Sequence, residues 1–188
     1  MIDVSLAFVR QVLDQYMVTS FAQEPGTVVL NNLTSSDGGM PPKNQNKLVL
    51  TLVNLEYETN RQYYGGLRPG QEVLARVNPA LLFNLDVLVS ANFDDYGEAL
   101  KLLTATIAFF QEHLALTRDS YPLMPAGLNM LKFEIENSPS TKTHNLWTAL
   151  GAKYLPSIIY KIRHVAIQSD QIKSLSSPVQ SISAAAAP

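Results

Sequence analysis

Apolar residues recur at three- and four-residue steps from the start of the chain. Leu6, Val9, Leu13 and Tyr16 form one stripe, the period of an amphipathic helix facing a core. It predicts a first helix from about Asp3 to Val18. Pro25-Gly26 then marks a turn and Thr27 to Leu30 a short strand. The run 34–46, "TSSDGGMPPKNQN", is rich in Ser, Gly, Pro and Asn and predicts a mobile loop. From 47 to 58 the period becomes two: Leu48, Leu50 and Leu52 alternate with Val49, Val53, Leu55 and Tyr57. A strand apolar on both faces belongs inside a sheet covered on both sides. Glycine and proline break the pattern over 59–78, which predicts a projecting loop.

A second long strand follows at 79–92, with Leu81, Phe83, Leu85, Val87, Val89 and Ala91 on one face. Asn84, Asp86 and Ser90 share the other face with Leu82 and Leu88. Asp95 and Glu98 have the spacing of a capping box. The helix they open is predicted to reach about Leu116, on a stripe of Leu100, Leu103, Ile107, Phe110 and Leu114 flanked by Leu102, Thr106 and Phe109. The strand 131–136 reads apolar at Leu131, Phe133 and Ile135, and charged at Lys132, Glu134 and Glu136. Ser138-Pro139 signals a short helix that turns Leu146, Trp147 and Leu150 inward and stops at Gly151. Pro156 opens a last strand in which Ile159, Lys161, Arg163, Val165 and Ile167 alternate with Ile158, Tyr160, Ile162, His164 and Ala166.

From Ser169 the residues are mainly Ser, Ala and Pro without aromatics, a composition that does not order by itself. The organisation predicted is one domain over 1–168 and a low-complexity flexible tail over 169–188. The element order is too irregular for a doubly wound sheet. It fits an α+β fold: a mixed, largely antiparallel sheet of about four to five strands with helices packed on it.

Charge and composition narrow the function. The chain has 188 residues, a net charge of −2 and no cysteine. Lys and Arg occur singly, with no basic block to neutralise phosphates, which argues against nucleic acid. Thiol nucleophiles, disulfides and cysteine-based zinc sites are excluded. Asp3, Arg10 and Asp14 interrupt the opening helix, so it reads as amphipathic and not as a signal peptide. No run is long and apolar enough to insert in a membrane. Synthesis in the cytoplasm is the expectation.

Candidate chemistry is sparse. His113, His144 and His164 lack a partner at metal-ligand spacing, and no nucleophile elbow, phosphate loop or dinucleotide fingerprint is present. No metal or cofactor is expected. Asp94 and Asp95 read as helix-start charges. Glu56 and Glu58 share one side of a strand end, and Asp86 sits in an otherwise apolar strand. These three are the candidates for a hydrolase acting in a cleft closed by the 59–78 loop. Trp147 and Tyr154 read either as core aromatics or as binding anchors. Tyr160 is grouped with them as placing the last helix and strand. Lys161 and Arg163 read as edge protection or as a charged rim between subunits. Arg61, Tyr63 and Tyr64 are candidate contact residues on the projecting loop.

The segment "NLWTALGAKYLPSIIYKIR" (145–163) resembles the signature of the amino-terminal domain of tail terminators from contractile injection systems, the cap proteins of phage-tail-like particles. Three further segments are similar to that family in the same order: "MIDVSLAFVRQVLDQYM", "NKLVLTLVNLEYETNRQ" with Asn46, Asn54 and Glu56, and "LLFNLDVLVSANFDDYGEALKLLTATIAFFQ". The resemblance implies a structural protein and no enzyme. It implies a homohexameric ring that closes the distal end of the inner tube and contacts the last sheath layer, in a particle that is released or retained. Longer members carry a further region after this domain. The alternatives are a general protein-binding scaffold module, or the hydrolase built on Glu56, Glu58 and Asp86.

Overall fold

The computed structural model of the chain describes residues 1–59, 67–69, 74–77, 80–167 and 172–176. Helix α1 (Ile2–Phe21) is followed by strand β1 (Val28–Leu30), a 3-10 turn (Pro42–Asn44) and strand β2 (Lys47–Tyr57). Strands β3 (Leu67–Pro69), β4 (Leu74–Val77) and β5 (Leu81–Asn92) lead to helix α2 (Tyr96–Glu112). Then come β6 (Ala115–Thr117), β7 (Met130–Ile135), helix α3 (Ser140–Leu150), β8 (Ser157–Ile167) and β9 (Ile172–Ser176). The main sheet has six strands in the order β1-β2-β5-β8-β7-β6. Only β1 runs parallel to its neighbour; the other pairs are antiparallel. The α+β class and the mixed, largely antiparallel sheet are as expected, with more strands than the four to five foreseen.

A second sheet, β3-β4-β9, accounts for part of the excess. Two of its strands lie in the expected 59–78 loop, and β9 lies within the segment expected as a tail, paired to β4. β6 accounts for the rest. It occupies residues assigned by periodicity to the end of α2, which stops at Glu112 with His113 as its cap.

Helices α1 and α2 cover one face of the main sheet. Leu6, Val9, Leu13 and Met17 of α1 and Leu102 and Phe109 of α2 pack on Leu48, Leu50, Leu85, Val87 and Val89 in one buried cluster. Each such side chain withdrawn from water contributes about 1.5–3 kcal/mol. The opposite face is covered by α3, where Trp147 packs with Leu33, Val49, Leu88 and Ile159. Gly151 ends α3 at φ 62°, the left-handed cap that its position predicts. A carboxylate ties the first layer together: Asp14 accepts hydrogen bonds from Gly26 N (2.9 Å) and Val28 N (2.8 Å), fixing the turn between α1 and β1.

Three expectations are corrected. The buried side of α2 is Ala99, Leu102, Ala105, Thr106, Phe109 and Phe110, while Leu100, Ile107 and Leu114 of the expected stripe are exposed. The helix is turned toward α1, so that Phe109 meets Tyr16 at 5.2 Å and Phe110 meets Tyr160 at 4.1 Å between ring centroids. Half of the capping box forms: Asp95 accepts from Glu98 N at 2.8 Å, but the Glu98 side chain turns to Gln23 and Lys101. The 34–46 segment, expected to be mobile, is anchored by Asn44, which is fully buried. Its side chain bonds Asn31 and the Asn32 carbonyl, and its own carbonyl accepts from Asn92.

Candidate functional site

Two register shifts shape the far end of the main sheet. One lies between Leu52 and Asn54 of β2, opposite Val87 and Asp86; the other lies between Phe83 and Leu85 of β5, opposite Val165 and Ile162 of β8. A bulge inserts one residue, so every later side chain changes face. Strict alternation placed Val49, Val53, Leu55 and Tyr57 together. In the folded chain Leu55 and Tyr57 move to the α1/α2 face, opposite Leu85 and Phe83, and Asn54 and Glu56 move to the α3 face. Strict alternation likewise grouped Val165 with Lys161 and Arg163. Instead Val165 pairs with Phe83 and enters the main core.

The shifts collect polar residues on the α3 face, beyond the apolar patch under Trp147. Lys161 is nearly buried at 9% exposure. Its ammonium lies 2.7 Å from Glu56, 3.5 Å from Asp86 and 3.5 Å from Glu136. Glu136 also binds Lys142 at 2.6 Å. One step along, Arg163 meets Glu134 at 2.8 Å and Glu58 at 3.8 Å, and Glu134 meets Lys132 at 3.1 Å. Asn54 donates to Asp86 (3.0 Å) and Asn84 to Glu58 (3.1 Å). The result is a lattice of alternating charge across β2, β5, β8 and β7.

Its electrostatics follow from the pairing. Burial works against the Lys161 ammonium, but the bond to Glu56 and the charges of Asp86 and Glu136 outweigh it and raise its pKa. The Arg163 bond holds Glu134 below the usual carboxylate range, with Lys132 adding to it. The Lys142 bond does the same for Glu136, against its partial burial. Asp86, only 4% exposed, has one oxygen without a hydrogen-bond donor. Its charge is compensated by Lys161, its cross-strand partner on β8.

Glu56, Glu58 and Asp86 are therefore brought together, Glu56 and Asp86 by a single ammonium. The arrangement pairs each of them with a cation, Glu56 and Asp86 with Lys161 and Glu58 with Arg163. Among the described residues no group of His, Cys, Asp and Glu could hold a metal ion. No described helix is long and apolar enough to cross a membrane.

The aromatic candidates separate. Trp147 is 5% exposed, a core residue. Tyr154, 65% exposed, stands edge-on to it at 5.5 Å. Tyr160 faces the main core against Phe110, and burial pushes its phenol up to about 12. Arg61, Tyr63 and Tyr64 lie outside the described residues. Sequence reading missed the four acids and lysines that complete the lattice, Glu134, Glu136, Lys132 and Lys142. Lys132, Glu134 and Glu136 have the pattern of a solvated strand face, and the register of β7 against β8 reveals their partners, while Lys142 reaches Glu136 from α3.

A sheet covered by helices on both faces, with an ion-paired lattice at one end, defines an α+β domain whose far end is held by charge and whose middle is held by apolar packing. The chain belongs to the Pvc16 N-terminal domain family, whose model matches residues 6–181. A solved structure of the sheath/tube terminator of an extracellular contractile injection system, PVC, in its extended state covers 100% of this chain at 12% identity and a TM-score of 0.63. The tube-terminating cap of the anti-feeding prophage covers 99% at 15% identity and a TM-score of 0.58. The chain spans 63% and 61% of those two proteins. No curated protein matches it.

Proposed function

We propose that the chain is a structural cap subunit that terminates the inner tube and sheath of a contractile injection particle. The observation that carries this reading is the family match over 6–181, together with a fold shared along the whole chain with two terminators. In this reading six copies form a closed ring on the distal end of the tube and touch the last sheath layer. A closed ring stops growth by burying the tube's end and offering no equivalent face above it. The chain acts without catalysis, cofactor or nucleic acid; the carboxylates of the hydrolase alternative serve to hold β2, β5 and β8 together. It is made in the cytoplasm and leaves it, where the particle is released, as part of the assembly. Tyr154 and Arg163, with Arg61, Tyr63 and Tyr64, are assigned to the surfaces that set subunit contacts, and Trp147, Tyr160 and Lys161 support them from beneath.

Electron microscopy of particles assembled with and without this chain tests the reading. Loss of the chain is expected to give uncapped tubes that are unstable or of irregular length. Normal caps and normal lengths in its absence would refute it.

A further inference from the structure

Resting on the ring reading, we infer that the ring seam is a knob-and-cleft contact: Lys153 and Tyr154 of one copy enter an aromatic cleft beside α1 and α2 of the next. The cleft has a volume of about 390 Å³, within the range of about 300–1,000 Å³ typical of binding pockets. Phe8, Tyr16, Phe109, His113 and Tyr121 line it, with Leu123 at its mouth 93% exposed. The His113 ring stacks on Phe109 at 4.7 Å. Its Nδ1 lies 3.0 Å from the Phe109 carbonyl. A carbonyl only accepts, so Nδ1 donates to it and the ring is held in place. The cleft thus presents mainly fixed aromatic rings, a surface that another aromatic ring fits.

Charge selects the occupant. Glu112 and Asp119 flank the lining residues His113 and Ser120; both are exposed and make no ion pair among the described residues. Glu112 adds to burial in raising the pKa of Tyr121, which places its charge beside the cleft. The carboxyl end of α2 adds partial negative charge there, and its last turn holds no basic residue. The mouth therefore favours a cation next to an aromatic ring. Three tyrosines of the described surface are more than half exposed: Tyr57, Tyr96 and Tyr154. Tyr96 follows Asp94 and Asp95, which would bring like charge to the mouth; Tyr57 lies between Glu56 and Glu58, whose cations Lys161 and Arg163 are already engaged, and brings no free cation. Tyr154 follows Lys153, which is exposed and without an ion pair among the described residues.

The knob is also prepared for docking. Residues 152–155 run between the left-handed cap at Gly151 and Pro156, and the Tyr154 ring already rests on buried Trp147. A side chain held in place loses little freedom on binding, and tyrosine anchors are frequent interface hot spots. The cleft lies in the α1/α2 layer and the knob in the α3 layer, on opposite faces of the sheet. Contacts between two different surfaces are head-to-tail and propagate, the geometry a ring requires.

The test is the assembly state of the full chain, free and on its tube, by mass photometry and microscopy. Tyr154→Ala is expected to weaken self-association at least about tenfold. Lys153→Glu, a surface change, is expected to weaken it as well, and combining it with Glu112→Lys and Asp119→Lys to restore it by reversing both charges. Variants that melt like the parent yet form rings as well as it does overturn the seam while leaving the ring reading intact. So does a charge reversal without rescue. A parent chain that forms no ring in either setting overturns both.

Discussion

Replacing Lys161 by Met removes the cation shared by Glu56, Asp86 and Glu136 while keeping the length of the apolar stem. Asp86 is 4% exposed and its remaining bond comes from the neutral amide of Asn54. Taking one partner from a buried ion pair costs about 3–5 kcal/mol, because the other charge stays desolvated. For a domain of this size each kcal/mol corresponds to roughly 2–4 °C of melting temperature. Asp86→Asn should cost less: Lys161 retains Glu56 and Glu136, and an amide oxygen still accepts from Asn54. The penalty of Lys161→Met should also shrink on mild acidification, since an unpaired buried Asp86 takes up a proton more readily than an exposed one. Urea unfolding of both variants at pH 8 and pH 5, followed by fluorescence of the single, buried Trp147, measures these quantities. Equal costs for the two variants, or a Lys161→Met cost unchanged between the two pH values, would refute the shared-cation account.

Three further outcomes follow from single features. The folded chain holds Glu134 and Glu136 below the ordinary carboxylate value of 4.5. Folding therefore favours their ionised forms, and the stabilisation is complete above that value and lost as pH falls through the lowered one. Urea midpoints should drop below about pH 4.5, and Glu134→Gln with Glu136→Gln should flatten that drop; an equal slope in the double variant contradicts the ion-pair cause. Gly151→Ala should destabilise by about 1 kcal/mol through its positive φ, because a Cβ there meets no atom within 4 Å; a thermal melt unchanged from the parent contradicts it. Asn44→Ala should cost about 1–3 kcal/mol by stranding the Asn31 amide and the Asn32 carbonyl. It should also speed hydrogen exchange across 34–46, and exchange at the parent's rate would count against the anchor.

Local signals that depend on a few neighbouring residues were legible in the sequence. The long strands, the Asp95 cap, the Gly151 stop and the apolar β5 face all follow from short patterns and appear where predicted. What stayed hidden depends on pairing between distant segments. Nothing in "TLVNLE" marks Val53 as the residue at which alternation slips, because a valine is an ordinary strand residue; the slip exists only against β5. The lattice is hidden for the same reason. Lys161 and Glu56 are 105 positions apart, and both look like ordinary solvated charges until two shifts bring them to one face.

The stripe on α2 failed for a different physical reason. Periodicity reports that apolar residues share a helix side, and it is indifferent to what covers them. Here the chain's own sheet takes the side with Ala99, Leu102 and Phe109, and the neighbouring side with Leu100 and Ile107 stays exposed. The same holds at the far end of β2 and β5, where the slip at Val53 puts Leu55 and Tyr57 beside Leu81, all exposed. In a protein that works alone, such positions would be under pressure to become polar. In a ring subunit the boundary between core and surface is set by the assembly, so one apolar pattern serves two partners, the fold and the neighbouring copy. Under the proposed function, the two kinds of error in reading this sequence have one origin. The slip at Val53 and the turned helix both leave apolar side chains outside the monomer's core, on surfaces that an assembly would bury.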